Sequence, residues 1–319
     1  MAKRVIKRVN ERTTLEQAFS EFLTEKEAKS LSEKTIIGYK DTYKMFLRYC
    51  CYTDVDAVEE VRNTDIFKWI KQLKEEDKKP ASINHYLREI RAFLYWCMDN
   101  NYLERFKIQL VEAQEEQPKL FTDDQLEKLL EKPKKNESFV NWRTWAVVNW
   151  VLATGNRAAT ICEVQIGDID FNYKEISLRH TKNKKAQVIP LSPYLETILK
   201  EYMRMWRYGE GNDKYLFCSI ADEQMTTNCL KHSFRKYCLD RDVDRTNIHG
   251  LRHNFSRGWI KNNGNMFSLQ KVLGHSSLEM TRHYVKLFND DLKEDYELYS
   301  PLDTIKREKS RKQIVRRAV

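Results

Sequence analysis

The stretch that decides the fold runs from Glu175 to Leu191: Glu175-Ile-Ser-Leu-Arg179, then His180-Thr-Lys-Asn-Lys-Lys185, then Gln187-Val-Ile-Pro-Leu191. The two outer runs are short and β-like, and the middle one is a polar turn, so the stretch predicts a β-hairpin. The run from Gln165 to Phe171 is the candidate for a third strand. Nearly everything on either side carries a helical pattern. The expected fold is therefore mainly α with a small β-hairpin or sheet.

Working outward, helical patterns resume after Pro193 and continue to about Tyr299. Upstream, an apolar helix spans about Phe139 to Ala153, and another starts at Thr122 or Asp123. The segment before it is polar, with Gln-Glu-Glu-Gln-Pro at 114–118. It lacks an apolar period and ends in a helix breaker, which marks residues 111–119 as a linker. Residues 13–110 read as helical throughout. Thr14 and Gln17 form a capping-box pair ahead of Leu15, Ala18, Phe19, Phe22 and Leu23. Further helices are expected from about Ser32 to Cys51, from Asp65 to Glu75, and from Pro80 through Cys97.

With 319 residues, two domains are expected. Hydrophobic residues make up 41% of the chain, enough for a buried core and too much for a disordered polymer. No apolar run approaches the roughly 20 residues of a membrane helix, and the basic N-terminus has no apolar segment of a signal peptide. A cytoplasmic protein is the expectation. Seven scattered cysteines without a CxxC pair argue against a disulfide framework or a structural zinc site.

The net charge of +9 sits at the ends. Residues 1–12 carry +4, residues 303–319 carry +5, and the body between them is neutral. Basic ends on a neutral body suit a polyanion such as nucleic acid, through counterion release at phosphates.

Four separated clusters stand out. They are Thr154-Gly-Asn-Arg157; the turn lysines Lys182, Lys184 and Lys185; His249-Gly-Leu-Arg252-His253; and Leu273-Gly-His275-Ser-Ser277, with Tyr284 nine residues after His275. Each alone has an ordinary explanation: a helix C-cap, a solvated turn, a packing aromatic. The i, i+4 spacing of His249 and His253 would suit a metal, but HExxH is absent and Arg252 sits beside them.

Taken in order, the clusters resemble the signature of the tyrosine recombinases, also called the phage integrase family. The resemblance covers nearly the whole chain. Residues 13–110 resemble that family's helical core-binding domain, and Ser32-Glu-Lys-Thr-Ile-Ile-Gly-Tyr39 is similar to the opening of its DNA-contacting helix. Residues 120–299 resemble the mixed α/β catalytic domain, leaving a basic arm at 1–12 and a basic tail at 300–319. The resemblance implies a mobile-element type of recombinase without a separate arm-binding domain.

The implied chemistry explains the residue types. Attack on a phosphodiester builds charge on its non-bridging oxygens, and guanidinium forks bind such oxygens bidentately without losing a proton. Arg157 and Arg252 fit that role, and no metal or other cofactor is then required. By resemblance, Tyr284 is the nucleophile and Lys182 the general acid, with Lys184 and Lys185 as rivals in the same turn. His249 assists proton transfer, His275 hydrogen-bonds the phosphate, and His253 has a supporting role. Basic residues of the first domain, Lys34, Lys40, Arg88 and Arg91, with Thr35, are candidate DNA contacts, as is Lys184.

The resemblance further implies double-stranded DNA as substrate, a homotetramer on two duplexes, docking of Leu292 to Leu302 on a neighbouring protomer, and an accessory DNA-bending or directionality factor. One departure stands out. Where the family often has a glutamate three residues after the first arginine, this sequence has Thr160, and the nearest acid is Glu163. The alternatives are a catalytically silent DNA-binding regulator, a chromosome or plasmid dimer resolvase, and a type IB topoisomerase.

Overall fold

A computed structural model describes residues 12–53, 55–113, 118–179, 186–275, 277–279 and 281. The chain divides into two compact units, residues 1–116 and 117–319.

Among the described residues, the first unit holds four α-helices: α1 (Leu15–Ala28), α2 (Glu33–Tyr52), α3 (Asn63–Glu75) and α4 (Pro80–Asp99). Its helix starts are written in local side chains. The Thr14 hydroxyl accepts from the Gln17 amide and the Gln17 side chain accepts from the Thr14 amide, a complete capping box. The Ser32 hydroxyl caps α2 by accepting from the Thr35 amide, and Pro80 opens α4 where its missing N–H costs nothing. Aromatic rings fill the interior. Phe19 stacks on Tyr43 at 3.7 Å and meets Phe93 edge-on at 5.2 Å, while Phe46 meets Trp69 edge-on at 5.2 Å. After α4 the chain stays fastened to this unit as far as Val111, whose backbone N–H and C=O both bond the Asn84 side chain, at 2.8 and 2.9 Å.

The second unit holds α5 (Asp123–Leu130), α6 (Phe139–Thr154), α7 (Ala158–Glu163), strands β1 (Ile169–Asp170), β2 (Glu175–Leu178) and β3 (Gln187–Pro190), then α8 (Pro193–Trp206), α9 (Thr227–Leu239), α10 (His249–Lys261) and α11 (Met266–Leu273). Helix α6 is buried on most sides and runs through the core, packed against α5, α8, α9 and α10. The strands form one antiparallel sheet in the order β1-β2-β3. Its register aligns Ile169, Ile176 and Ile189 in one buried row. The fold is thus mainly α with a small sheet.

Three expectations need correction. Residues 100–110, read as helical, follow the end of α4 at Asp99 without helix, held instead by contacts such as the Ile108 amide on the Tyr95 hydroxyl. Of the segment from Gln165 to Phe171, only Ile169–Asp170 is strand, because Ile166–Asp168 form a 3₁₀ turn capped by the Asp168 carboxylate. The helical pattern after Pro193 also breaks between α8 and α9. There the chain turns at Gly209 (φ 77°) and is strapped to the 164–167 loop by backbone bonds from Ile166 to Lys214, Gly167 to Asn212 and Leu216 to Val164. Those long-range bonds override a local pattern that reads as helix.

Candidate active site

Three chain reversals in the second unit build the site. The first ends α6. Gly155 takes the left-handed conformation (φ 64°), and a Cβ there would sit 2.5 Å from Phe255 Cδ1, so both torsion and space call for glycine. The Asn156 side chain accepts from Trp150 Nε1 at 2.9 Å and fixes the turn. Arg157 follows as the residue that opens α7.

The second is the start of α10. Asn247 Oδ1 accepts from the His249 amide at 3.0 Å, and the helix then presents His249 and, in the same turn, Arg252. The base of this helix is clamped. Asn254 bonds both the N–H and C=O of Phe121, at 2.9 and 2.8 Å, and Gly250 leaves room for the Phe121 ring. The His249 and His253 rings meet edge-on, 4.6 Å apart.

The third ends α11 at Gly274, again left-handed (φ 61°), which turns the Leu273 carbonyl inward. Arg157 Nη1 and Arg252 Nη2 both donate to that oxygen, at 3.3 and 3.1 Å. Arg252 Nη1 donates to the Gly155 carbonyl at 2.6 Å, and its Nη2 also lies 2.8 Å from His275 Nε2. Arg252 is 2% exposed. The hairpin is tied to the same place. Gln187, the first residue of β3, donates through its side chain to the carbonyls of Lys271 and of Val272, the latter at 3.2 Å.

The electrostatics record this convergence. Burial, then the charges of Arg252 and Arg157, push His275 down to about 4. The same causes in the same order lower His249, although that residue keeps an exposed edge. Both rings are neutral at pH 7. They can accept protons, and two guanidinium groups face the same space.

The structure thus gathers Arg157, Arg252, His249 and His275. Lys182, Lys184, Lys185, Tyr284 and the segment from Leu292 to Leu302 lie outside the described residues. Thr160 is buried, and Glu163 instead lines a polar cavity of about 350 Å³ with Gln165, Arg179, Tyr215 and Gln224. In the first unit Lys34 and Arg88 are exposed. Thr35 is half-buried beside the Ser32 hydroxyl (2.7 Å), Lys40 lies 3.9 Å from Glu27, and the half-buried Arg91 lies over the Tyr95 ring at 5.9 Å. Sequence reasoning missed the Gly155 and Leu273 carbonyls, Gln187 and Asn254. Main-chain oxygens leave no sequence signal, and neither amide belongs to a recognisable spacing. Among the described residues there is no group of three or more His, Cys, Asp or Glu side chains placed for a metal, and no helix long and apolar enough to cross a membrane.

Comparison with known proteins agrees with this architecture. Residues 119–290 match the phage integrase family, and residues 17–101 match the phage integrase N-terminal SAM-like domain. Among curated proteins, the tyrosine recombinase XerC of Listeria innocua is 23% identical over 301 residues, covering 90% of this chain and 97% of that protein. Among solved structures, the Tn1549 transposon integrase in complex with transposon right end DNA superposes with a TM-score of 0.73 at 18% identity, covering 90% of this chain and 100% of that one. A lambda integrase tetramer bound to a Holliday junction gives 0.68 at 16% identity, with 86% and 78% covered.

The match over residues 119–290 places the chain among DNA strand-breaking and rejoining enzymes. The chain belongs to the phage integrase family, the tyrosine recombinases.

Proposed function

We propose that this protein is a site-specific recombinase that cuts and rejoins duplex DNA through a 3′-phosphotyrosine intermediate, in the service of a mobile element's integration and excision. The observation that carries the reading is the meeting of Arg157 and Arg252 on one backbone oxygen, with His275 on Arg252. Two guanidinium forks held a few ångströms apart suit the non-bridging oxygens of one phosphodiester.

In the reaction, the Tyr284 phenol attacks phosphorus as its proton passes to neutral His249, and the P–O5′ bond breaks. The leaving 5′ oxygen takes a proton from Lys182, with Lys184 and Lys185 as rivals in that role. His275 donates to a phosphate oxygen. The P–O bond to tyrosine conserves the energy of the broken one, so attack by a different 5′ hydroxyl rejoins the strand without ATP. Lys34, Thr35, Lys40, Arg88, Arg91 and Lys184 contact the DNA backbone. The working assembly is a homotetramer on two duplexes, helped by an accessory bending or directionality factor, on cytoplasmic, nucleoid-associated DNA. The Tn1549 integrase likeness supports the mobile-element task. The XerC relative favours a second reading, resolution of chromosome or plasmid dimers.

Covalent trapping tests the proposal. Nicked suicide duplexes tiled from DNA flanking the gene are incubated with wild type, Tyr284→Phe and Arg252→Ala, then run on denaturing gels. An adduct that needs Tyr284 is the expected result. Specific binding without any adduct would mean a catalytically silent DNA-binding regulator. The trapped position separates the two tasks: the ends of a mobile element for the first, a single chromosomal or plasmid site for the second.

A further inference from the structure

The His275 ring is gripped on both sides. Nε2 lies 2.8 Å from Arg252 Nη2, and Nδ1 lies 2.9 Å from the hydroxyl of Thr281, a residue with no exposed surface. A guanidinium only donates, so Nε2 is the acceptor in the first contact. Burial and the nearby arginines keep the ring neutral, so its one proton is on Nδ1 and points at the Thr281 oxygen. In this state Nε2 has no proton to give a phosphate.

We propose that Thr281 is the positioning residue that lets His275 change tautomer. Its hydroxyl accepts from Nδ1–H while Arg252 holds Nε2, and donates to Nδ1 once Nε2–H bonds a phosphate oxygen.

A hydroxyl is both donor and acceptor and rotates to suit, which few other small side chains allow. The exchange is neutral in protons: Nδ1 releases one to water and Nε2 takes one from water. As phosphate arrives, Arg252 turns its N–H from the ring to the incoming oxygens, and the ring becomes a second donor to the same group. Thr281 also lies three residues before Tyr284 in the sequence. The inference rests on the reading of His275 as a phosphate ligand.

The test compares wild type, Thr281→Val, which keeps the shape and loses the hydroxyl, and Thr281→Ser, which restores it. The full-length protein is labelled with ¹⁵N-histidine, and His275 is assigned from the His275→Gln spectrum. In the free wild-type protein its ring nitrogens are expected to show the Nδ1–H form. Inorganic phosphate is expected to convert that ring to the Nε2–H form in wild type and the serine variant. The valine variant is expected to keep the Nδ1–H form without phosphate, because Arg252 still donates to Nε2, and to convert only partly when phosphate is added.

In the trapping assay the valine variant is expected to form adduct about tenfold more slowly, the loss of about one hydrogen bond, and the serine variant within about threefold of wild type. An Nε2–H ring in the free protein overturns the proposal. So does a ring that phosphate leaves unchanged, or a serine variant no better than valine. If wild type forms no adduct on any duplex, the recombinase reading fails, and the ring nitrogens still judge Thr281.

Discussion

Two arginines of the second unit are almost equally buried and are held in opposite ways. Arg207 is 5% exposed and meets the Asp222 carboxylate at 2.6 Å, with Lys214 on the other carboxylate oxygen at 3.2 Å. Arg252 is 2% exposed and is gripped by the Gly155 and Leu273 carbonyls and the His275 ring. The consequences show on their neighbours. Arg207, then Lys214, holds the Asp222 carboxyl below its ordinary range, so that positive charge is answered within the fold. Around Arg252, burial first and then the charges of Arg252 and Arg157 lower His249 and His275, which face the space where a phosphate is proposed to sit. Carbonyl oxygens aim a guanidinium without neutralising it. Arg207 is oriented by a carboxylate, and Arg252 by two backbone carbonyls and an imidazole.

The sharpest way to break this comparison is Arg252→Lys. It keeps the charge and loses the fork. Adduct formation should fall on the order of a thousandfold, as for the loss of a fork from a transferring phosphoryl group. Circular dichroism should show the helices intact. A variant that still cleaves within tenfold of wild type would mean that charge alone suffices and that the geometry at Leu273 is incidental.

Next in size is Gly155→Ala. The left-handed torsion costs a non-glycine residue about 1–2 kcal/mol, and the methyl meets Phe255 and Leu273 side-chain atoms 2.5 and 2.7 Å away. Crowding adds about 1–3 kcal/mol, so urea unfolding should lose about 2–5 kcal/mol. Because the Gly155 carbonyl also holds Arg252, cleavage should drop further than the lost folded fraction accounts for. Equal losses would uncouple the turn from the site.

Arg207→Ala should show the reverse pattern. Truncating a fully buried ion pair costs about 3–5 kcal/mol, but Asp222 keeps 38% of its side chain exposed, so about 1–3 kcal/mol is expected. Adduct formation per folded molecule should stay near wild type. A large loss of cleavage in the folded variant would place Arg207 in the function and erase the distinction between the two arginines.

The same division decides what the sequence could tell. The capping box at Thr14 is legible because cap and partner lie three residues apart. The hairpin is legible because its β-like runs flank a polar turn. The loop between α8 and α9 is not, since backbone bonds to residues 164–167 give it order and any sequence supplies those groups. In the site, Arg157, Arg252, His249 and His275 stand out as side chains in ordered clusters, and the structure brings them together. The carbonyls of Gly155 and Leu273 that aim the arginines are silent in sequence, although the two left-handed glycines beside them are visible in it. Thr281 escaped because one hydroxyl six residues after His275 has no pattern to join.

The smallest expected effect separates the two regions by pH. His275 falls from 6.5 to about 4, so between those values the unfolded chain binds a proton that the folded site refuses. Stability therefore drops as pH falls through that window, by about 1–2 kcal/mol after allowance for solvent screening, and is flat above it. His249 adds to the loss in the same direction. The carboxyl of Asp222 is depressed from 3.8, so its contribution persists through this window and is lost only below it. Urea midpoints at pH 7 and pH 5 should thus differ more in wild type than in His275→Gln, while Asp222→Asn should keep the wild-type difference. Phosphate sharpens the test: an anion between Arg252 and His275 opposes the push on the ring, so saturating phosphate should shrink the wild-type difference toward that of His275→Gln. A wild-type difference no larger than that of His275→Gln would mean that the charge of Arg252 does not reach the ring.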